Sequence, residues 1–306
     1  MKAFPVLSAV LLAAILLMSA CSSLSTQPPA PLEESLTMNV LNIAHRGARS
    51  LAPENTLLAA EKGLALGADL WELDVAVTQD GELVVLHDDT LERTSNAAEV
   101  FPKRKPWSVW TFTLDELRQL DFGGWFIEKD PFKQIQAGAI SADEQASFKG
   151  APIPTLREAL EFTREHNWRV NIEIKDASNT PGDAFVVEKV VELVKVLDMV
   201  DRVIISSFNH DYLKRVKAVD PDLVTAALVD RAVADAVALL EETGAQAYNP
   251  GLKYVDEATV RAVREAGFDV LVWTVNEEED MRRLIEWGVS GIFTDYPQRL
   301  NAVLGR

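Results

Sequence analysis

The chain has 306 residues, 48% hydrophobic and 25% charged, so it can bury a sizeable core and does not have the composition of a disordered protein. Lys and Arg total 30 against 47 Asp and Glu, a net charge of −17, which argues against a nucleic-acid partner and leaves no basic surface for anionic lipid. The single cysteine excludes an intramolecular disulfide and a cysteine-based zinc cluster.

Residues 1–20 read as a leader. Lys2 supplies a positive start, and Val6 to Met18 is apolar except for Ser8. That run falls short of the roughly 20 residues a membrane-spanning helix needs. Met18-Ser19-Ala20-Cys21 resembles a bacterial lipobox. The resemblance implies cleavage before Cys21, lipidation of its sulfur and a tether to an envelope membrane. Ser22 in place of Asp favours the outer membrane, facing the periplasm. Residues 21–38, with Pro28, Pro29 and Pro31, are expected to be a solvated, flexible tether. The globular part is expected over 39–306.

From there, β-rich runs alternate with helical patterns. Strands are predicted at Val40–His45, Leu70–Val77, Arg169–Ile174, Val203–Phe208, Leu223–Val229, Ala245–Asn249, Asp269–Val275 and Gly291–Thr294. Helices are predicted at Thr56–Leu66, Thr155–His166, Phe185–Leu197, Asp211–Val219, Val233–Glu242, Asp256–Ala266 and Glu278–Trp287. Gly67, Gly244, Gly267 and Gly288 stand where a left-handed residue would end a helix. Eight βα repeats in this length predict an α/β fold, a closed (β/α)8 TIM barrel; a doubly wound open sheet is the alternative. The second unit departs from the pattern. Gln79-Asp80-Gly81 reads as a hairpin turn, Glu82–His87 returns as an extended run, and about 88–154 is an insertion. It carries one helical stretch, Thr113–Leu120, and an aromatic cluster. It is either a roof over the barrel mouth or a structural flap.

Active sites of such barrels lie at the carboxyl ends of the strands. There the sequence places His45-Arg46-Gly47, Trp71-Glu72-Leu73-Asp74, Leu86-His87-Asp88 and Asn171-Ile172-Glu173-Ile174-Lys175. Period-two geometry puts Glu72 and Asp74 on one inward face, and Glu173 on that of its own strand. Three converging carboxylates repel unless a positive charge sits between them, and one hard divalent cation, Ca²⁺ or Mg²⁺, answers that need. His45 and His87 flank the same mouth and suit general acid–base work near neutral pH. Arg46 and Lys175 add fixed positive charge suited to a phosphate.

Ala44-His45-Arg46-Gly47, Pro53-Glu54-Asn55-Thr56, Glu72-Leu73-Asp74-Val75, the Asp80-Gly81 turn and Leu86-His87-Asp88 together resemble the glycerophosphodiester phosphodiesterases. Ile153-Pro154-Thr155-Leu156, Ile172-Glu173-Ile174-Lys175, Trp273-Thr274-Val275-Asn276 and Thr294-Asp295-Tyr296-Pro297 carry the match across the chain. The resemblance implies a metal-dependent barrel cleaving glycerophosphodiesters to sn-glycerol 3-phosphate and an alcohol, a step in lipid and glycerol metabolism. By position it makes Glu72, Asp74 and Glu173 the metal ligands and His45 and His87 the acid–base pair. Arg46 matches a phosphate-contacting arginine, Glu54 a carboxylate at the metal or one step behind it, and Lys175 a phosphate or metal-site partner; with Trp273 they fall with the substrate-binding residues.

Two other readings compete. One is lipid cleavage of the lysophospholipase D type, motivated by the tether and by Trp107, Trp110, Trp125 and Phe126. The other is a surface lipoprotein whose binding to a partner would survive loss of both histidines. Neither the head-group alcohol nor the oligomeric state is encoded in a local feature.

Overall fold

Strand register, more than any single residue, decides what this fold brings together. The computed structural model describes Met1 and residues 40–306. The expected leader, Cys21 and the tether therefore lie outside the described residues. Nine strands form one sheet: β1 (Leu41–Ala44), β2 (Leu70–Val77), β3 (Leu83–Val85), β4 (Val170–Ile174), β5 (Val203–Ser207), β6 (Val224–Val229), β7 (Ala247–Pro250), β8 (Asp269–Val272) and β9 (Gly291–Thr294). All but β3 run parallel, and β1 pairs with both β9 and β2, so eight strands close a ring. β3 pairs with β2, antiparallel, as the hairpin return, and Val84 makes a single antiparallel bridge to Thr155. The chain is a (β/α)8 barrel, and the open-sheet alternative is excluded.

The helices after the strands are α1 (Leu57–Ala65), then α6 (Leu156–Glu165), α7 (Val186–Val196), α8 (His210–Val219), α9 (Ala236–Thr243), α10 (Glu257–Glu265), α11 (Glu278–Trp287) and α12 (Pro297–Leu304). Each barrel strand faces two ways. Leu41, Ile43, Leu70, Ile204, Ala226, Ala247 and Leu271 fill the barrel's interior, while their alternates, such as Leu73, Ile172, Ile205 and Tyr248, pack under the helices. Capping sets several helix starts. The Thr155 side chain and Glu158 form a reciprocal box at α6, and Asp235 accepts from the Ala238 N–H. The Asp235 cap is why α9 begins three residues after the predicted Val233. α12 is absent from the predicted helices: eight residues opening on a proline leave too short an apolar period to read.

The insertion holds four short helices, α2 (Ala97–Val100), α3 (Leu114–Leu117), α4 (Gly124–Lys129) and α5 (Ala142–Phe148). Only α3 was predicted, and the observed helix is shorter than Thr113–Leu120. These elements owe their stability to two small cores rather than to period. One gathers Leu91, Trp107, Phe112, Leu117 and Phe122; the other gathers Leu51, Ala59, Trp125, Phe126 and Phe148. The aromatic residues that made a lipid-facing surface plausible are thus mostly interior: Trp107, Trp125 and Phe126 are buried. The insertion packs against the barrel through these two cores, and that motive for a lipid substrate falls away.

Candidate active site

One tight turn after β1 supplies three groups. The His45 N–H donates to the Thr294 carbonyl at 3.0 Å, which sets His45 beside Asp295. Arg46 and Asn55 adopt left-handed backbone, with φ of 54° and 57°. Such conformations cost roughly 1–3 kcal/mol for non-glycine residues and persist where the surroundings over-determine them. Here the surroundings are the carboxylates. The Arg46 N–H donates to Glu72 Oε2 at 2.7 Å, and Asn55 Nδ2 donates to Asp74 Oδ2 at 2.8 Å. Gly47 lies between them at φ 79°, where a Cβ would stand 2.5 Å from the Ala59 carbonyl carbon.

Register assembles the acidic trio. Asp74 faces Glu173 across β2 and β4, and Glu72 lies two residues earlier on the same face as Asp74. The three are buried, with one oxygen of each within 4.8 Å of the others. Each spends one oxygen on a protein donor: Glu72 on the Arg46 N–H, Asp74 on Asn55, and Glu173 on Lys175 Nζ at 2.6 Å. The other oxygens accept no hydrogen bond from the described residues, and Asp74 Oδ1 is fully enclosed in that state. Burial, with the neighbouring Asp74 and Glu173 charges, pushes the Glu72 carboxyl well above its ordinary range. Burial and Asp74 push Glu173 up as well. Burial alone would also raise Asp74, but Arg46 and Lys175 hold it low. Inward oxygens without donors and mutual repulsion are the chemistry of a hard-cation site, so the residues present fit Ca²⁺ or Mg²⁺.

Each histidine is braced by its own carboxylate. His45 Nδ1 lies 2.7 Å from Asp295 Oδ1, and Asn276 Nδ2 donates to Asp295 Oδ2 at 2.8 Å. Burial lowers the His45 pKa to about 4 despite the Asp295 hydrogen bond, with the Arg46 and Arg49 charges adding to the drop. At neutral pH the ring is therefore uncharged, Nδ1 donates to Asp295, and Nε2 is left as an acceptor. His87 Nδ1 lies 2.6 Å from Asp88 Oδ1. The His87 side chain is 32% exposed against 13% for His45.

Both histidines line a cavity of about 340 Å³ at the carboxyl ends of the strands. Glu72, Glu173 and Arg46 form its acidic and basic wall; Phe208, Leu228, Trp273 and Phe293 form an apolar one. Trp273 is fixed by its Nε1 donating to the Asn249 carbonyl at 2.8 Å and by an edge-on Phe208 ring at 5.5 Å. No residue of 88–154 lines this cavity, and the insertion reaches its rim through Phe132, which packs on Arg49 and Tyr296.

Glu54 and Lys175 brace the groups that line the cavity. Glu54 is 5% exposed and lies outside the cavity lining. Its oxygens are taken by Arg46 at 2.7 Å, Arg93 at 2.6 and 3.0 Å and Arg49 at 3.2 Å. Lys175 sits behind the trio, 2.6 Å from Glu173 and 3.6 Å from Asp74. Sequence reasoning gave no role to Asp88, Asp295, Arg49, Arg93, Asn55 or Asn276. Asp88 and Asp295 stand in motifs already singled out, so a search for histidine partners at strand ends would have found them. Arg49 and Arg93 reach the site on long side chains from loops, where no periodicity marks them.

A parallel barrel whose mouth sets convergent buried carboxylates between two carboxylate-braced histidines has the parts of a hydrolase for phosphoric esters. Residues 45–299 match the glycerophosphoryl diester phosphodiesterase family, and the chain belongs to that family: it is a phosphodiester hydrolase. It is 38% identical over 264 residues to the glycerophosphodiester phosphodiesterase of Caldanaerobacter subterraneus, covering 86% of this chain and 97% of that one. It is 34% identical over 275 residues to that of Bacillus subtilis, covering 86% of each. Among solved structures, a phosphodiesterase of Oleispira antarctica in complex with the product sn-glycerol-3-phosphate superposes with a TM-score of 0.71 at 27% identity, over 86% of this chain and 96% of that one. The glycerophosphodiester phosphodiesterase of Agrobacterium tumefaciens gives 0.66 at 28% identity, over 85% and 98%.

Proposed function

We propose that the chain hydrolyses glycerophosphodiesters to sn-glycerol 3-phosphate and an alcohol, with one divalent cation, Ca²⁺ or Mg²⁺, held by Glu72, Asp74 and Glu173. The observation that carries this reading is the pair of braced histidines in one cavity with Glu72 and Glu173 of the acidic trio. A bound cation would neutralise phosphate charge and offset the repulsion among the carboxylates. Arg46, held by Glu54 and Asp74, keeps a fixed positive charge on the cavity wall. His45, uncharged and with Nε2 open, takes the proton of the nucleophile. His87, at the more open side, gives a proton to the leaving alkoxide.

The test is turnover of glycerophosphodiesters by the chelator-stripped protein with Ca²⁺ or Mg²⁺ restored. Activity is expected to vanish and return. His45→Ala and His87→Ala should each lower kcat by at least about a hundredfold, the usual acid–base contribution. Full turnover after exhaustive chelation refutes the cation; near-normal turnover in either folded histidine variant refutes the pair.

The leader and its lipobox-like end support a mature protein anchored through Cys21 in a bacterial envelope, at the outer membrane and facing the periplasm.

A further inference from the structure

Resting on that two-histidine reading, we propose that one arc of alternating charges, centred on Glu54, positions both histidines. Its order is His45, Asp295, Arg49, Glu54, Arg93, Asp88, His87. The links can be followed atom by atom. His45 Nδ1 meets Asp295 Oδ1 at 2.7 Å; Asp295 Oδ1 lies 3.7 Å from Arg49 Nε; Arg49 Nη2 lies 3.2 Å from Glu54 Oε2. On the other side Glu54 accepts from Arg93 Nη2 and Nη1, Arg93 Nε donates to Asp88 Oδ2 at 2.6 Å, and Asp88 Oδ1 meets His87 Nδ1 at 2.6 Å.

Three features separate this arc from ordinary ion pairing. Glu54 is buried, and a lone guanidinium would neutralise it, yet three converge on it. Arg93 presents one edge to each of two carboxylates: Nε and Nη2 to Asp88, and Nη1 and Nη2 to Glu54. A planar fork bonded on both edges fixes orientation as well as charge, so Asp88 cannot turn and His87 cannot swing with it. The arc also joins three segments far apart in sequence: the turn after β1, the start of the insertion and the end of β9. Arg93 is the insertion's contribution to catalysis, made without touching the cavity.

The two limbs are not equally tight. Asp295 has Asn276 as a second holder and a longer arginine contact, whereas Asp88 depends on Arg93. Arg49, Glu54 and Arg93 are positioning residues, and the Arg93 limb carries more.

The experiment uses the full chain with cation supplied and two diesters, one with an alkyl leaving alcohol and one with a nitrophenyl leaving group. Arg93→Gln is expected to lower kcat on the alkyl diester by about 10–100-fold, the range seen when an outer residue that orients an active-site group is lost, with KM little changed. Its ratio of rates on the two diesters should follow that of His87→Ala. Arg49→Gln should lose less and follow His45→Ala, and Glu54→Gln should be impaired on both limbs. Arg93→Lys, which keeps the charge but loses the fork, should fall between wild type and Arg93→Gln with the same ratio; it serves as the probe if Arg93→Gln fails to fold. A rate ratio in either arginine variant that departs from that of its own histidine variant, a change confined to KM, or wild-type kcat overturns the arc. His45→Ala and His87→Ala run alongside. If they lose turnover and the arginine variants do not, the arc alone falls; if they keep it, the two-histidine reading falls and takes the arc with it.

Discussion

His45 and His87 carry the same side chain in different surroundings, and the difference sets their chemistry. His45 is enclosed between Asp295 and two guanidiniums, and burial dominates, bringing its pKa to about 4 from the ordinary 6.5. A bound cation would push in the same direction. In the unfolded chain the ring takes up a proton near pH 6.5, while the folded chain resists until about pH 4. The unfolded state therefore binds more protons in that window, and this component of stability falls as pH falls through it. A shift of that size corresponds to about 3 kcal/mol. Denaturant unfolding of wild type and His45→Gln at pH 7 and pH 4.5 should show wild type losing more stability than the variant over that span. Parallel losses would place the His45 pKa near its ordinary value.

At the scale of elements, the strands were the most legible part of the sequence. Val203-Ile204-Ile205 and Val270-Leu271-Val272 are apolar runs that only a doubly covered strand needs, and β5 and β8 fall there. Period two placed Glu72, Asp74 and Glu173 on inward faces, and the register delivers them together. The insertion was not legible, because α4 and α5 are short and owe their form to the Phe126 and Phe148 contact rather than to repeating apolar positions. The arginine arc was equally hidden, since a guanidinium on a loop can reach several ångströms in any direction. The turn after β1 gives an element-scale prediction. Gly47→Ala would force an L-residue into φ 79° and drive its Cβ to 2.5 Å from the Ala59 backbone. The loss should exceed about 1 kcal/mol, the scale for alanine at an incompatible glycine site. Because the same turn aims Arg46 at Glu72, kcat should fall with stability; an unchanged midpoint of unfolding would show that the turn adjusts freely.

For the whole molecule, a cation bound only by the folded chain raises stability by mass action. At a free concentration a hundred times Kd the gain is about 2.7 kcal/mol. With the usual per-residue unfolding entropy, a folded unit of this size should gain about 5 °C in Tm on adding Ca²⁺ or Mg²⁺ to stripped protein. Glu173→Gln should remove most of that gain, and a full gain in that variant would move the cation away from the trio. Anchoring is tested at the same scale. Cys21→Ser should release the protein from membranes or leave it as unprocessed precursor, with the barrel's specific activity unchanged. Mature protein that stays with the membrane would refute lipidation as the tether.

The pairing of β1 with β9 has a consequence for how the chain comes to be folded. Those two strands are separated by nearly the whole domain, and the last residue reaches back so that Arg306 bonds Asp69 at 2.7 Å. Until residues 291–294 have been made, β1 has one unpaired edge and β8 another, each an open template for a neighbouring molecule. The seam is the costliest loop to close and the final one available during synthesis. A chain interrupted shortly before β9 would hold both histidines and the acidic trio and still be an unfinished sheet prone to pairing with its neighbours, so the segment that brings Asp295 to His45 is also the one that closes the sheet.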